Sequence, residues 1–178
     1  MPVLADWIKK LSSLFVRVAN SLQSPFLLVV RLYWGWQFVQ TGWGKLNNLP
    51  HVIQFFTSLG IPFPAVNAYF VSGLEFVGGI LLAVGLAGRL IALPLMIDMI
   101  VAYLTADREA FTSFFSDPGK FANASPFTFL MASLIVLIFG SGLFSLDALI
   151  ERLWPSLFSS SSASSSPTRA QGKDTVAR

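Results

Sequence analysis

Four long apolar runs, at residues 26–46, 65–87, 89–106 and 126–146, constrain this chain more than anything else in it. A membrane-spanning helix needs about 20 mostly apolar residues, and each run meets or approaches that length. In hydrocarbon every backbone N–H and C=O must be paired internally, so such runs fold as helices. Only 12% of the residues are charged, against about a quarter in a soluble domain. The expected fold class is all-α, a four-transmembrane-helix bundle over residues 25–155 with no room for a soluble catalytic domain.

The flanks read differently. Residues 3–23 place Val3, Leu4, Trp7, Ile8, Leu11, Leu14, Phe15 and Val18 at helical spacing with Lys9, Lys10, Ser13 and Arg17 between them. That pattern predicts an N-terminal amphipathic surface helix within 1–24. A secretory signal fits poorly because the three basic residues interrupt any apolar core. Pro25, a favoured first-turn residue, is expected to open the first span. Both exterior loops carry aromatic stretches that predict short amphipathic helices, one around Val52, Ile53, Phe55, Phe56 and Leu59, the other around Phe111, Phe114 and Phe115. Span, aromatic loop helix, span occurs twice, a pattern open to reading as an internal repeat or as coincidence. From residue 156 the chain is serine-rich and polar, the composition of a disordered tail.

Two acids stand inside apolar runs, Glu75 in the second and Asp98 in the third. A charge at mid-bilayer costs about 2.5–3.5 kcal/mol on insertion scales, so it calls for a partner. Glu75 shares a face with Ala68, Ser72, Gly79 and Ala83, small residues that let helices approach closely. Asp98 follows Pro94, which should bend the third span, and shares a face with Ile91, Leu95, Ala102 and Thr105. In the first span Arg31, Gly35 and Gly42 fall on one face, and Tyr33, Gln37, Gln40 and Gly44 on the other. At 1.5 Å per residue, Gln37, Glu75 and Asp98 lie about 15–18 Å from the cytoplasmic side, with Arg31 near ~8 Å. Arg31, Gln37, Gln40, Glu75 and Asp98 are therefore the candidate buried polar set, with Tyr33, Lys45 and Arg89 as secondary candidates. Two readings remain open. Arg31 could pair with one acid and hold the helices in register, or the set could form a pocket that binds a quinone-type carbonyl or relays a proton. Lys45 and Arg89 read first as interface anchors, the tryptophans as belt residues, and His51 as a lone loop histidine.

The absence of cysteine excludes disulfides and thiolate metal sites, and a single loop histidine argues against haem or metal inside the membrane. No intrinsic cofactor or metal is expected. The net charge of +3 is not concentrated in a basic stretch that would suggest nucleic acid. Lys9, Lys10, Arg17, Arg89, Arg152, Arg169, Lys173 and Arg178 fall on one side of the spans, against Lys45, Arg108 and Lys120 on the other. The positive-inside rule then places both termini in the cytoplasm.

The order of Arg31, Gly42-Trp43-Gly44-Lys45-Leu46, Gly60-Ile61-Pro62, Glu75-Phe76-Val77-Gly78-Gly79, Gly85-Leu86, Arg89 and Val101-Ala102-Tyr103 resembles the DoxX family of bacterial membrane proteins over about residues 25–146. Asp98 falls outside those motifs. The resemblance implies a four-helix bacterial inner-membrane fold and an association with quinone-linked, sulfur or oxidative-stress redox chemistry, since relatives include a subunit of a thiosulfate:quinone oxidoreductase. With no nucleophile–base pair or cofactor motif, an accessory or anchoring subunit of a membrane redox assembly fits better than an autonomous enzyme. Its partners would be the lipid bilayer, soluble or membrane redox proteins, and further copies of itself. A small proton-coupled transporter and a purely structural scaffold are the alternatives.

Overall fold

The computed structural model describes residues 2–153, and the serine-rich segment expected from 156 onward lies outside them. The described residues form eight helices: α1 (Pro2–Asn47), α2 (Leu49–Ser58), α3 (Pro64–Val84), α4 (Gly88–Thr105), α5 (Arg108–Thr112), α6 (Pro118–Asn123), α7 (Ser125–Phe139) and α8 (Leu146–Leu153).

The N-terminal amphipathic stretch and the first apolar run are one helix of 46 residues, with Pro25 inside it. The expected break at Pro25 does not occur. Proline removes one intrahelical bond and crowds the carbonyl four residues back, which bends a helix without always ending it. At 1.5 Å per residue the helix runs about 69 Å, more than twice a ~30 Å hydrocarbon layer.

Three helices, α1, α3 and α4, are long and apolar enough to cross a membrane. The fourth apolar helix, α7, has 15 residues, about 22 Å at the same rise. It stops earlier than the run to residue 146 suggested, because Gly140 turns away at φ 79°. Its N-cap position is Ala124, with no side-chain bond. Residues 140–145 form an irregular return, and the amphipathic α8, unforeseen as a separate helix, follows.

Helix α1 packs along α3 and α4 along α7, with α3 against α4. Small residues set the first of these contacts. A Cβ added to Gly35 would lie 2.8 Å from the Gly79 carbonyl oxygen, and one added to Gly79 would lie 2.7 Å from the Val39 nitrogen. Gly42 sits against the Phe76 backbone nitrogen so closely that no side chain fits. These are the two small-residue faces legible in the sequence, now pressed together. Where the helices converge, Val30, Phe38, Leu82, Ala92, Leu95, Met99, Ala132 and Val136 form the core. The Phe129 ring bridges Trp34 and Phe38 edge-on at 5.2 and 4.7 Å.

The α3–α4 turn is tight. Gly85 takes φ 71° and closes α3 by donating to the Leu81 carbonyl, and Ala87 at φ 50° starts α4. Only glycine adopts such a φ without steric cost, so the strain of the turn falls on Ala87.

Candidate functional site

Close packing of α1 on α3 brings Lys45, one turn beyond Gly42, to the middle of α3. Its Nζ lies 2.7 Å from Glu75 Oε1. The Glu75 side chain is 3% exposed and that of Lys45 34%, so the acid is buried and its counter-ion reaches in from the end of α1. From α4, Asp98 comes within hydrogen-bonding range of Glu75 and within the electrostatic reach of Lys45. Glu75 Oε2 and Asp98 Oδ2 are buried, and no residue outside this acid pair donates to them.

These three residues line a cavity of about 770 Å³, within the range of small-molecule sites. Its walls are mostly apolar: Val52, Phe55 and Phe56 of α2, Val71 of α3, Met99 of α4 and Phe129 of α7. The α2 helix owes its place over the opening to Gly60 (φ 71°) and to the Asn67 amide, which donates to the Pro62 carbonyl at 2.6 Å. The aromatic loop helix is thus a wall of the cavity.

The remaining candidates go elsewhere. Arg31 is fully buried but pairs with neither acid. Its Nε donates to the Leu27 carbonyl at 3.4 Å and its Nη2 to the Phe144 carbonyl at 2.6 Å. Gln37, Gln40 and Tyr33 do not line the cavity. Gln40 and Tyr33 are exposed, and the Tyr33 ring packs edge-on against Trp34 at 5.1 Å. The depth argument placed Gln37 level with the acids, but depth does not fix azimuth, and α1 turns it away. Arg89 is exposed and donates to the Ile138 carbonyl at 3.2 Å, closing the C-terminal end of α7. Lys45, read first as an interface anchor, is the cation of the site.

A second polar cluster, at the opposite end, was not foreseen. Asp147 of α8 accepts from the Ala87 and Gly88 backbone N–H groups at 2.7 and 3.1 Å and from the Ser141 hydroxyl at 2.9 Å. It caps α4 from 60 positions away, supplying acceptors that the first turn of a helix lacks. Beside it Arg31 approaches Gly85 so closely that a Cβ there would collide with its guanidinium. The one available signal was an acid in the first turn of an amphipathic stretch after Gly142, and nothing local names its partner.

Outside the spans, Lys120 Nζ donates to Glu109 Oε2 at 2.9 Å and holds that exposed carboxyl below its usual range.

Comparison with known proteins gives a consistent picture. Residues 26–108 match the family model described as DoxX. The chain is 32% identical over 83 residues to a Bacillus subtilis protein named "Putative oxidoreductase CatD", an alignment covering 47% of this chain and 60% of that protein. It is 28% identical over 133 residues to an uncharacterized Haemophilus influenzae protein, covering 72% of this chain and 85% of the relative. No solved structure matches.

Proposed function

Starting from a chain whose residues 26–108 place it in the DoxX family, we propose that it is an accessory or anchoring subunit of a membrane redox assembly and that the Lys45–Glu75–Asp98 cavity holds a quinone-type ring. The observation that carries this reading is a mostly apolar cavity that holds a buried ion pair with a second buried acid beside it. Apolar walls take a ring and its tail, and a few convergent polar groups orient it. The name of the Bacillus subtilis relative lends support to redox chemistry. Electrons would come from a partner protein.

In this reading α1, α3, α4 and α7 all cross the bacterial inner membrane. Both termini lie in the cytoplasm, on the side that carries most of the basic residues. The cavity then opens toward the exterior face through α2. Photo-crosslinking with an azido-benzoquinone in nanodiscs tests the proposal: labelled peptides from α2, α3 and α4 support it. Labelling spread evenly over lipid-facing residues, or indifferent to excess unlabelled quinone, refutes it.

Charge bookkeeping favours one competing reading. One lysine faces two acids, so the ionised trio carries one excess negative charge, which a transported proton would balance. Proteoliposome flux driven by a pH gradient and abolished by Glu75→Gln would favour transport over the accessory role.

A further inference from the structure

We propose that the N-terminal half of α1 is a self-association surface, on which the parallel α1 helix of a second copy of this chain packs. It stands at the end of the bundle away from the cavity and is independent of what the cavity holds.

Helix α1 passes the end of the bundle near Ser24, whose Cα lies 3.8 Å from where a Gly142 Cβ would stand. Leu27 is the first buried side chain described along it, and every residue from 11 to 23 is exposed. Residues 2–23 thus carry the helix about 33 Å further at 1.5 Å per residue. The apolar residues of this stretch follow a heptad. Leu4, Leu11 and Val18 take its first position, and Trp7 and Leu14 its fourth. Ile8, Phe15 and Leu22 widen the stripe by one position, the pattern of a helix packed in a bundle. Lys9, Lys10 and Arg17 fall outside it.

Trp7, Leu11, Leu14, Phe15, Val18 and Leu22 are each more than half exposed. At roughly 100 Å² per side chain they offer about 600 Å², against the ~800 Å² each partner gives to a standard interface. Leu4 and Ile8 extend the same stripe by their spacing.

Two occupants compete for this face, a bilayer surface and a second copy. The basic residues beside the stripe would suit anionic lipid, but the helix geometry does not. A helix lying on the bilayer makes a right angle with one that crosses it. Here both halves are one helix, and a proline bends a helix without turning it that far. The stripe therefore stands off the membrane in water, where monomers rarely leave a large contiguous apolar face uncovered. A second copy in the same membrane has the same orientation, so its α1 runs parallel about an axis normal to the bilayer. Confinement to one plane also removes part of the orientational cost of association.

The chain has no cysteine, so single cysteines report on this contact in the full chain reconstituted into liposomes. Under mild copper-phenanthroline oxidation, Leu11→Cys, Leu14→Cys and Val18→Cys should give disulfide-linked dimers. Their yield should be at least about fivefold that of Val16→Cys and Asn20→Cys on the opposite face, since a disulfide needs its Cβ atoms close together. The yield should persist when the protein is diluted into excess lipid. All five positions are exposed in the single chain, so the substitutions leave the bundle intact. A bimane attached to Leu14→Cys reads the competing occupant, because brominated lipid quenches it only at the bilayer. Strong quenching, equal crosslinking on both faces, or no crosslinking on either overturns the inference.

Discussion

Lys45 Nζ and Glu75 Oε1 meet at 2.7 Å across 30 positions of sequence, and the glycine contact between their helices is what lets them. A lysine at the end of α1 can reach the midpoint of α3 only if the two backbones nearly touch. Gly42, one turn before Lys45, lies against the Phe76 backbone, and Gly35 and Gly79 hold the same spacing further along. The ion pair and the helix contact are therefore one device.

Breaking the pair from one side should cost far more than replacing it. Lys45→Met strands the Glu75 carboxylate in a buried site, a loss of about 3–5 kcal/mol by analogy with other buried pairs. The double substitution Lys45→Met with Glu75→Leu should recover most of it. Thermal unfolding in mild detergent measures both. Equal destabilisation by the single and double variants would mean the pair is not the source.

Gly42→Val should separate α1 from α3, because its side chain has only backbone to push against. Overpacking in a filled core costs about 1–3 kcal/mol and often more where nothing can yield. Gly44, with open space around its Cβ position, is the matched control. A crosslink between cysteines placed on the facing helices should weaken in the Gly42 variant and persist in Gly44→Ala.

Arg31→Lys should loosen the end of the molecule opposite the cavity. It forfeits the 2.6 Å bond to the Phe144 carbonyl, and a hydrogen bond from a charged donor is worth about 1.5–3 kcal/mol. Faster amide exchange over residues 140–153, with ligand binding in the Lys45–Glu75–Asp98 cavity unaltered, is the expected pattern. Lost ligand binding with unchanged exchange would restore Arg31 to the polar pocket.

Asp147→Ala should shorten α4 from its N-terminus, since Asp147 satisfies the Ala87 and Gly88 N–H groups. Loss of a cap costs about 0.5–2 kcal/mol. Asp147→Asn keeps an acceptor and should cost less, which separates capping from any charge effect of the residue.

Between α4 and α7, Lys120 holds the Glu109 carboxyl below its usual range. A depressed carboxylate contributes stability above its ordinary titration range and loses it as pH falls through the lower folded value. Lys120→Gln should return Glu109 to ordinary titration, followed by NMR of the labelled carboxyl. An unchanged titration would show that the ion pair does not persist in solution.

The bundle was legible because lipid imposes a length and a composition on each crossing, and the small-residue faces of the first and second apolar runs were legible because they recur every three or four residues. Glu75 was legible as a buried acid for the same reason. Its partner was not. Arg31 and Lys45 both lie in or at the end of the first run, and sequence depth favoured the arginine reaching inward. The choice turned on azimuth and on where each side chain leaves its helix, which periodicity alone does not fix between helices. Gln37 failed on the same ground: it shares a depth with the acids and faces elsewhere.

Residue order alone established an all-helical membrane chain, the faces that would pack, and two acids needing compensation, because burial in lipid is a local demand on each segment. Tertiary packing decided that Lys45 and not Arg31 supplies the counter-charge, that α2 walls a cavity, and that Asp147 caps a helix 60 positions away. Those outcomes depend on rotations between helices and on one close glycine contact, and a periodicity of 3.6 residues carries no information about either.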